Sequence, residues 1–327
     1  MKIFCLFVLA SLLLVNTVTS QESPELKEAA TLTESVVKLF NERKFDEALP
    51  AAKRALEIRE RLLTVGDPRI STSLSYLADI YTARRDYGAA RKLLLRLLQN
   101  EERRVGPENI GLASTLDRVA LLHRREGNYR DAEAAYTRAI ALKEKAFGTD
   151  HVDVAQSLVG LAELFRDHQK FDQAAPIYRR ALLIYAKYLG LNSVQFSQAS
   201  EAYVCLGFET NKRDETKDLI DIRKRFAVPG SLDDPPEGTI LNGRALELGR
   251  PEYPPQAVAS KIEGSVMVKV EIDEAGRVIS AYDMCQAQPT LSEAAVKAAL
   301  KSRFSPTKIL GKPVKVSGII EYHFRRH

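Results

Sequence analysis

Along the first two thirds of the chain, apolar and polar positions alternate with helical spacing, and the pattern recurs. Leu74, Leu77, Ala78 and Tyr81 form an i, i+3, i+4, i+7 stripe. One period of 42 residues later stand Leu116, Val119, Ala120 and His123, and after another come Leu158, Leu161, Ala162 and Phe165. Phe45, Tyr87, Tyr129 and Phe171 keep the same step, as do Ala48, Ala90, Ala132 and Ala174, and Leu56, Leu98, Ile140 and Leu182. The pattern predicts four helical hairpins whose second helices start near Asp46, Gly88, Arg130 and Asp172. Alanines at fixed positions let neighbouring helices approach closely. Gly106, Gly148 and Gly190 fall where three second helices should end, with Thr64 at that place in the first unit. Pro50 and Pro176 share one repeat position, expected within about the first helical turn. Such a period marks stacked units, none of which buries its apolar face alone. Residues 194–226 read as a fifth, degenerate pair whose charged helix, Asp214 to Phe226, caps the stack.

The pattern changes after Phe226. The run AVPGSLDDPPEG opens a linker over 227–250, and Asn242-Gly243 between brief apolar runs predicts a short hairpin there. Ser265 to Ile272 then alternates as a half-buried strand, with Val266, Val268, Val270 and Ile272 on one face. A turn at Asp273-Glu274-Ala275-Gly276 leads to a second strand near Val278 to Cys285. Thr290 and Glu293 suggest a capping box opening a helix whose apolar side holds Leu291, Ala295 and Ala299 with Val296, Leu300 and Phe304. Pro306 ends it, and a third strand covers Val314 to Phe324. The fold class is therefore mainly α: an α-solenoid over 31–226 followed by a small α+β domain over 251–327.

The repeats resemble the tetratricopeptide repeat in its longer, kinesin-light-chain form, most fully in GTDHVDVAQSLVGLAELFRDHQKFDQAAPIYRRALLIYAKYLG. That resemblance implies a concave face lined by the first helices. Asp79, Asp117, Arg124, Glu163 and Arg166 are then the candidate groove residues for a protein partner. Arg124 and Arg166, one period apart, would form a basic rung for an acidic peptide; the alternative is solvated charge on a helix face. Kinesin-type units place an asparagine just before the Leu-Ala pair, where it clamps peptide backbone. Tyr76, Arg118 and Gly160 occupy those positions here.

The last segment is similar to the C-terminal domain of the TonB family. The similarity is carried by PEYPPQAVASKIEGSVMVKVEIDEAGRV and SRFSPTKILGKPVKVSGIIEYHF, including Tyr253-Pro254, Gly264 and Arg303-Phe304-Ser305-Pro306. It implies a sheet edge that pairs with a strand of an envelope protein, such as an outer-membrane transporter. Lys315, Ser317, Ile319 and Glu321 are the candidate edge residues. The chain departs from the family in carrying a repeat array instead of a proline-rich spacer, and in Asp283, where an apolar side chain usually turns inward.

Charge and composition narrow the reading. A net charge of +5 with no basic-aromatic motif gives no argument for nucleic acid. Lys2, the apolar run Ile3 to Val15, and small residues Val18 and Ser20 before Gln21 read as a signal peptide over 1–20, which implies export. An uncleaved membrane anchor is the alternative. Cys205 and Cys285 fall in different predicted domains and are expected as two separate thiols, although an oxidising compartment also permits a disulfide. His123, His151, His168, His323 and His327 are scattered, and no phosphate loop, nucleophile elbow or metal spacing occurs. No catalytic set, metal or cofactor is therefore expected. The expected function is a periplasmic protein–protein interaction adaptor, TonB-like at its C-terminus. The alternatives are an inner-membrane-anchored energy transducer and an oligomerisation module that dimerises through the C-terminal sheet edge.

Overall fold

The computed structural model describes residues 23–210, 217–226, 240–241 and 244–325. The expected signal segment, the linker run 227–239 and the Asn242-Gly243 turn lie outside those residues. The chain divides into two compact units at Gly106 and Pro107.

The first unit holds two helical hairpins, α1 (Pro24–Asn41) with α2 (Phe45–Leu62), and α3 (Pro68–Ala83) with α4 (Tyr87–Val105). Their buried residues are the periodic ones, among them Ala48, Leu56, Leu74, Leu77, Ala78, Ala90 and Leu98. The second unit continues with α5 (Ala113–Arg125), α6 (Tyr129–Phe147), α7 (Val152–Asp167), α8 (Phe171–Tyr188), α9 (Val194–Glu209) and α10 (Lys217–Phe226). The degenerate pair is thus two helices, of which α10 packs on α8.

The repeat extends to the turns. The residue opening each first helix from α3 onward is Asp67, Asn109, His151 or Ser193, one period apart. In each case its side chain accepts a backbone N–H of the first turn, from Arg69, Gly111, Asp153 and Phe196 respectively. His151 is therefore a helix cap acting through Nδ1. Between the helices of each of the first four hairpins stands one residue in the left-handed region: Arg43 (φ 59°), Arg85 (φ 63°), Gly127 (φ 76°) or Gln169 (φ 57°). This lets the following N–H reach back to the preceding turn, as Asp86 N does to Tyr81 O at 2.9 Å. Gly106 and Gly148 close α4 and α6 with φ of 83° and 86°. The two prolines depart from expectation. Helices α2 and α8 begin at Phe45 and Phe171, so Pro50 and Pro176 sit beyond the first turn, inside the helix. Each removes an interior hydrogen bond.

The C-terminal domain is built on β3 (Gly264–Ile272), with β4 (Val278–Asp283) and β8 (Val316–Phe324) antiparallel on either side, in the order β4-β3-β8. Helices α11 (Pro255–Ala259) and α12 (Pro289–Leu300) accompany the sheet. Val266, Val268, Val270 and Ile272 share one buried cluster with Leu291, Ala295, Ala299, Ile320, Tyr322 and Phe324. Helix α12 starts at Pro289 after Gln288, so Thr290 falls in its first turn and no side chain caps it. The capping box is not formed, and Glu293 pairs with Lys297 instead. Leu300 is exposed and Phe304 lies outside the helix.

Short pairings complete the domain. Strand β1 (Ile240–Leu241) pairs with β6 (Lys308–Ile309), which pairs with β7 (Lys312–Pro313); β2 (Ala245–Glu247) pairs with β5 (Arg303–Phe304). The two flanks of the expected hairpin thus pair with different late strands rather than with each other. Backbone pairing between segments about sixty residues apart in sequence leaves no local signature, which is why the pattern did not show it.

Candidate partner-binding surfaces

The first helices of successive units touch one another, α5 with α7 and α7 with α9. Their polar side chains form a line of alternating charge. Arg124 on α5 is mostly buried and engages Glu163 on α7, with Asp167 Oδ2 at 3.1 Å from its Nε. Burial opposes its charge, but Glu163 and Asp167 outweigh that and raise its pKa further. Arg166 Nε stands 3.9 Å from Glu209 on α9, whose carboxyl is pushed up by burial despite Arg166. Arg124 and Arg166 are therefore engaged by neighbouring repeats and do not form a free basic rung. The sequence could not show this because the acidic partners lie on other helices.

Asp117 is likewise committed. It accepts Lys143 Nζ at 2.6 Å and Ser157 Oγ at 2.8 Å, tying α5 to α6 and α7. Asp79, on α3 of the first unit, is half-buried and also engaged. At Gly160 an added Cβ would lie 2.5 Å from a ring carbon of Tyr136, so Tyr136 fills the space an asparagine side chain would need. The missing asparagine there has a packing cause. Burial raises the Tyr136 hydroxyl to about 12.

The second surface is β8. Among the described residues its only strand neighbour is β3, and no strand pairs with its other edge. Ser317, Ile319 and Glu321 sit opposite Glu271, Lys269 and Met267 of β3. Lys315 lies just before the strand and pairs with Glu271 at 3.0 Å. The side chains of Ser317, Ile319 and Glu321 alternate with the buried Ile320 and Tyr322, so they decorate the sheet face turned from the core; the edge itself is backbone. Ile319 is 49% exposed. Beside it runs a cleft of about 480 Å³ lined by Leu191, Ser200 and Val204 of the array and by Lys269, Met284 and Ile319.

Sequence reasoning missed what joins the array to this sheet. Cys205 on α9 and Cys285 just after β4 form a disulfide, with Cα atoms 5.3 Å apart. The expectation of two separate thiols is corrected: packing brings together residues that sequence placed in different domains. Asp283 has a part in this. Its carboxylate accepts the N–H of Cys285 at 3.1 Å and of Ala287 at 2.7 Å, so the unexpected acid shapes the turn that carries the cysteine. Glu201 on α9 adds two contacts, to Lys269 Nζ and from Tyr282 Oη at 3.1 Å.

Family comparison agrees with both halves. The tetratricopeptide repeat models match residues 38–104 and 111–187, and the model of the Gram-negative bacterial TonB protein C-terminal matches residues 249–325. The chain carries tetratricopeptide repeats and a TonB C-terminal domain. No curated protein matches it. Similar solved structures include BtubC (BKLC) from P. vanneervenii, 17% identical with a TM-score of 0.50, covering 63% of this chain and 91% of that one. Another is a putative kinesin light chain from Podosopora anserina with nearly identical TPR-like repeats, 16% identical with a TM-score of 0.53, covering 63% and 96%. At these identities the likeness shows the solenoid fold alone. Tetratricopeptide repeats and a TonB-type domain together suggest a role in protein–protein interaction. No helix among the described residues is long and apolar enough to cross a membrane, and no group of His, Cys, Asp and Glu among them could hold a metal ion.

Proposed function

We propose that this is an exported adaptor of the cell envelope, in which the repeat array presents the TonB-type domain and the open edge of β8 receives a strand from a partner protein. The open edge carries the reading. Unpaired N–H and C=O groups along a strand are a template for another strand, and the exposed side chains beside them supply selectivity. The Cys205–Cys285 disulfide supports a location outside the reducing cytosol. An outer-membrane transporter is the partner class that the resemblance of this domain to the TonB family implies. The groove residues Asp79, Asp117, Arg124, Glu163 and Arg166 serve the array's own cohesion in this reading, because those with resolved partners are engaged between helices.

The test is site-specific photo-crosslinking in cells from position 319, with position 279 on β4 as the control. The expected result is a discrete adduct from 319 alone. Equal adducts from both positions, or none from 319, would overturn strand pairing at β8. Sequencing the mature N-terminus tests export: a chain beginning at Gln21 supports it, and a retained Met1 favours the anchored alternative.

A further inference from the structure

The hairpin β6–β7 carries a feature that neither strand pairing nor folding explains. Ile309 and Lys312 pair across a two-residue loop, Leu310-Gly311, with φ of 50° and 78°. Positive φ at both central positions is the type I′ pattern, which favours Asn-Gly. Leucine is poorly suited to the first position, because its Cβ crowds the backbone there. The leucine also gains nothing by burial, since it is 73% exposed. A strained backbone position holding an exposed apolar side chain points to a use outside the fold.

The charge along this stretch of sequence has one sign. Between Glu293 and Glu321 the chain contains Lys297, Lys301, Arg303, Lys308, Lys312 and Lys315 and no acidic residue. Lys297 and Lys315 are paired with Glu293 and Glu271. Lys308 and Lys312 flank the tip, paired to Pro313 and Ile309 through the strands, and neither has an ion-pair partner among the described residues. Pro313, on the outer strand of this small sheet, lacks an N–H and so blunts that edge against a further strand.

We propose that the β6–β7 tip docks on an anionic phospholipid bilayer, with Leu310 entering the headgroup region and Lys308 and Lys312 bound to lipid phosphates. Charge complementarity selects the occupant. An exposed leucine at a hairpin turn offers no groove for a peptide, whereas the interface of a bilayer accepts an exposed apolar side chain between basic ones. The proposal is independent of strand pairing at β8.

The experiment is co-sedimentation with vesicles of pure phosphatidylcholine or with about 30% phosphatidylglycerol added. It uses the chain from Gln21 onward, which keeps every described residue. The wild type is expected to bind the anionic vesicles preferentially and to dissociate as salt rises. Leu310→Asn suits the turn, so it should keep or raise the melting temperature while lowering partition several-fold. The double variant K308E/K312E should lower it on the order of tenfold or more. Equal binding of the wild type to both vesicle types, or wild-type partition by both variants, would overturn the proposal.

Discussion

Lys143 on α6 and Asp117 on α5 form an ion pair in which only 8% of the lysine side chain is exposed, with Nζ 2.6 Å from Oδ2. The ammonium also donates to Ser157 Oγ at 2.8 Å and to the Asp153 carbonyl at 3.1 Å, both on α7. Its three donors are thus used across three helices. Two periods earlier, buried Arg59 donates to Ser73 in the same way, at 2.6 Å. A buried charge is tolerated only while it is paired. Asp117→Ala should therefore destabilise the second unit by about 3 kcal/mol. Lys143→Met should cost much less, because Asp117 keeps the Ser157 hydroxyl and partial access to water. Urea denaturation of both variants measures the asymmetry, and equal losses would show that the pair does not act this way.

Tyr136 and Gly160 are coupled by shape. Gly160→Ala should destabilise the array by roughly 1–2 kcal/mol, overpacking against the ring outweighing the gain in helix propensity. The same burial sets an alkaline response. The Tyr136 hydroxyl rises from 10.0 to about 12, so its contribution is intact below pH 10 and is lost as pH climbs through about 12. A rise of this size corresponds to roughly 3 kcal/mol. Tyr136→Phe should flatten the stability profile in that window, as followed by circular dichroism; an unchanged profile would exclude Tyr136 as a contributor.

Cys205 and Cys285 close a loop with a sequence separation of 80. Loop-closure entropy alone assigns such a link roughly 4 kcal/mol. Cys285→Ser should lower the melting temperature and abolish the wild type's sensitivity to dithiothreitol. A reduced wild type that melts like the oxidised one would show that the bond adds nothing to stability.

Gly127 has φ of 76° with nothing within 4 Å of where a Cβ would stand, so backbone strain alone opposes a side chain there. Gly127→Ala should cost about 1 kcal/mol. At the equivalent Arg85, replacement by glycine should be neutral or slightly stabilising, because relief of strain is offset by a freer unfolded chain. Thermal melts of the two variants compare them directly.

The helical array was legible because its information is local and repeated. A stripe of Leu74, Leu77 and Ala78 needs no distant partner to declare a helix, and its recurrence declares a stack. The β3 alternation and the order of the main C-terminal elements were legible for the same reason. Less could be read where a residue's role depends on a remote neighbour. Arg124 looks like an open rung until Glu163 and Asp167 are placed beside it. Gly160 looks like a lost asparagine until Tyr136 is seen in its space.

By itself, then, the sequence determined the long helices of the array and the three main strands, because periodicity and turn chemistry act over a few residues. The change of period after Phe226 set the β3 alternation apart from the helical repeats. Only the tertiary structure decided that Cys205 meets Cys285, that β1 and β2 pair with β6 and β5, and that Arg124, Arg166 and Asp117 contact side chains of neighbouring helices. Those outcomes depend on distances between residues far apart in the chain, which packing of the whole sets and no local pattern encodes.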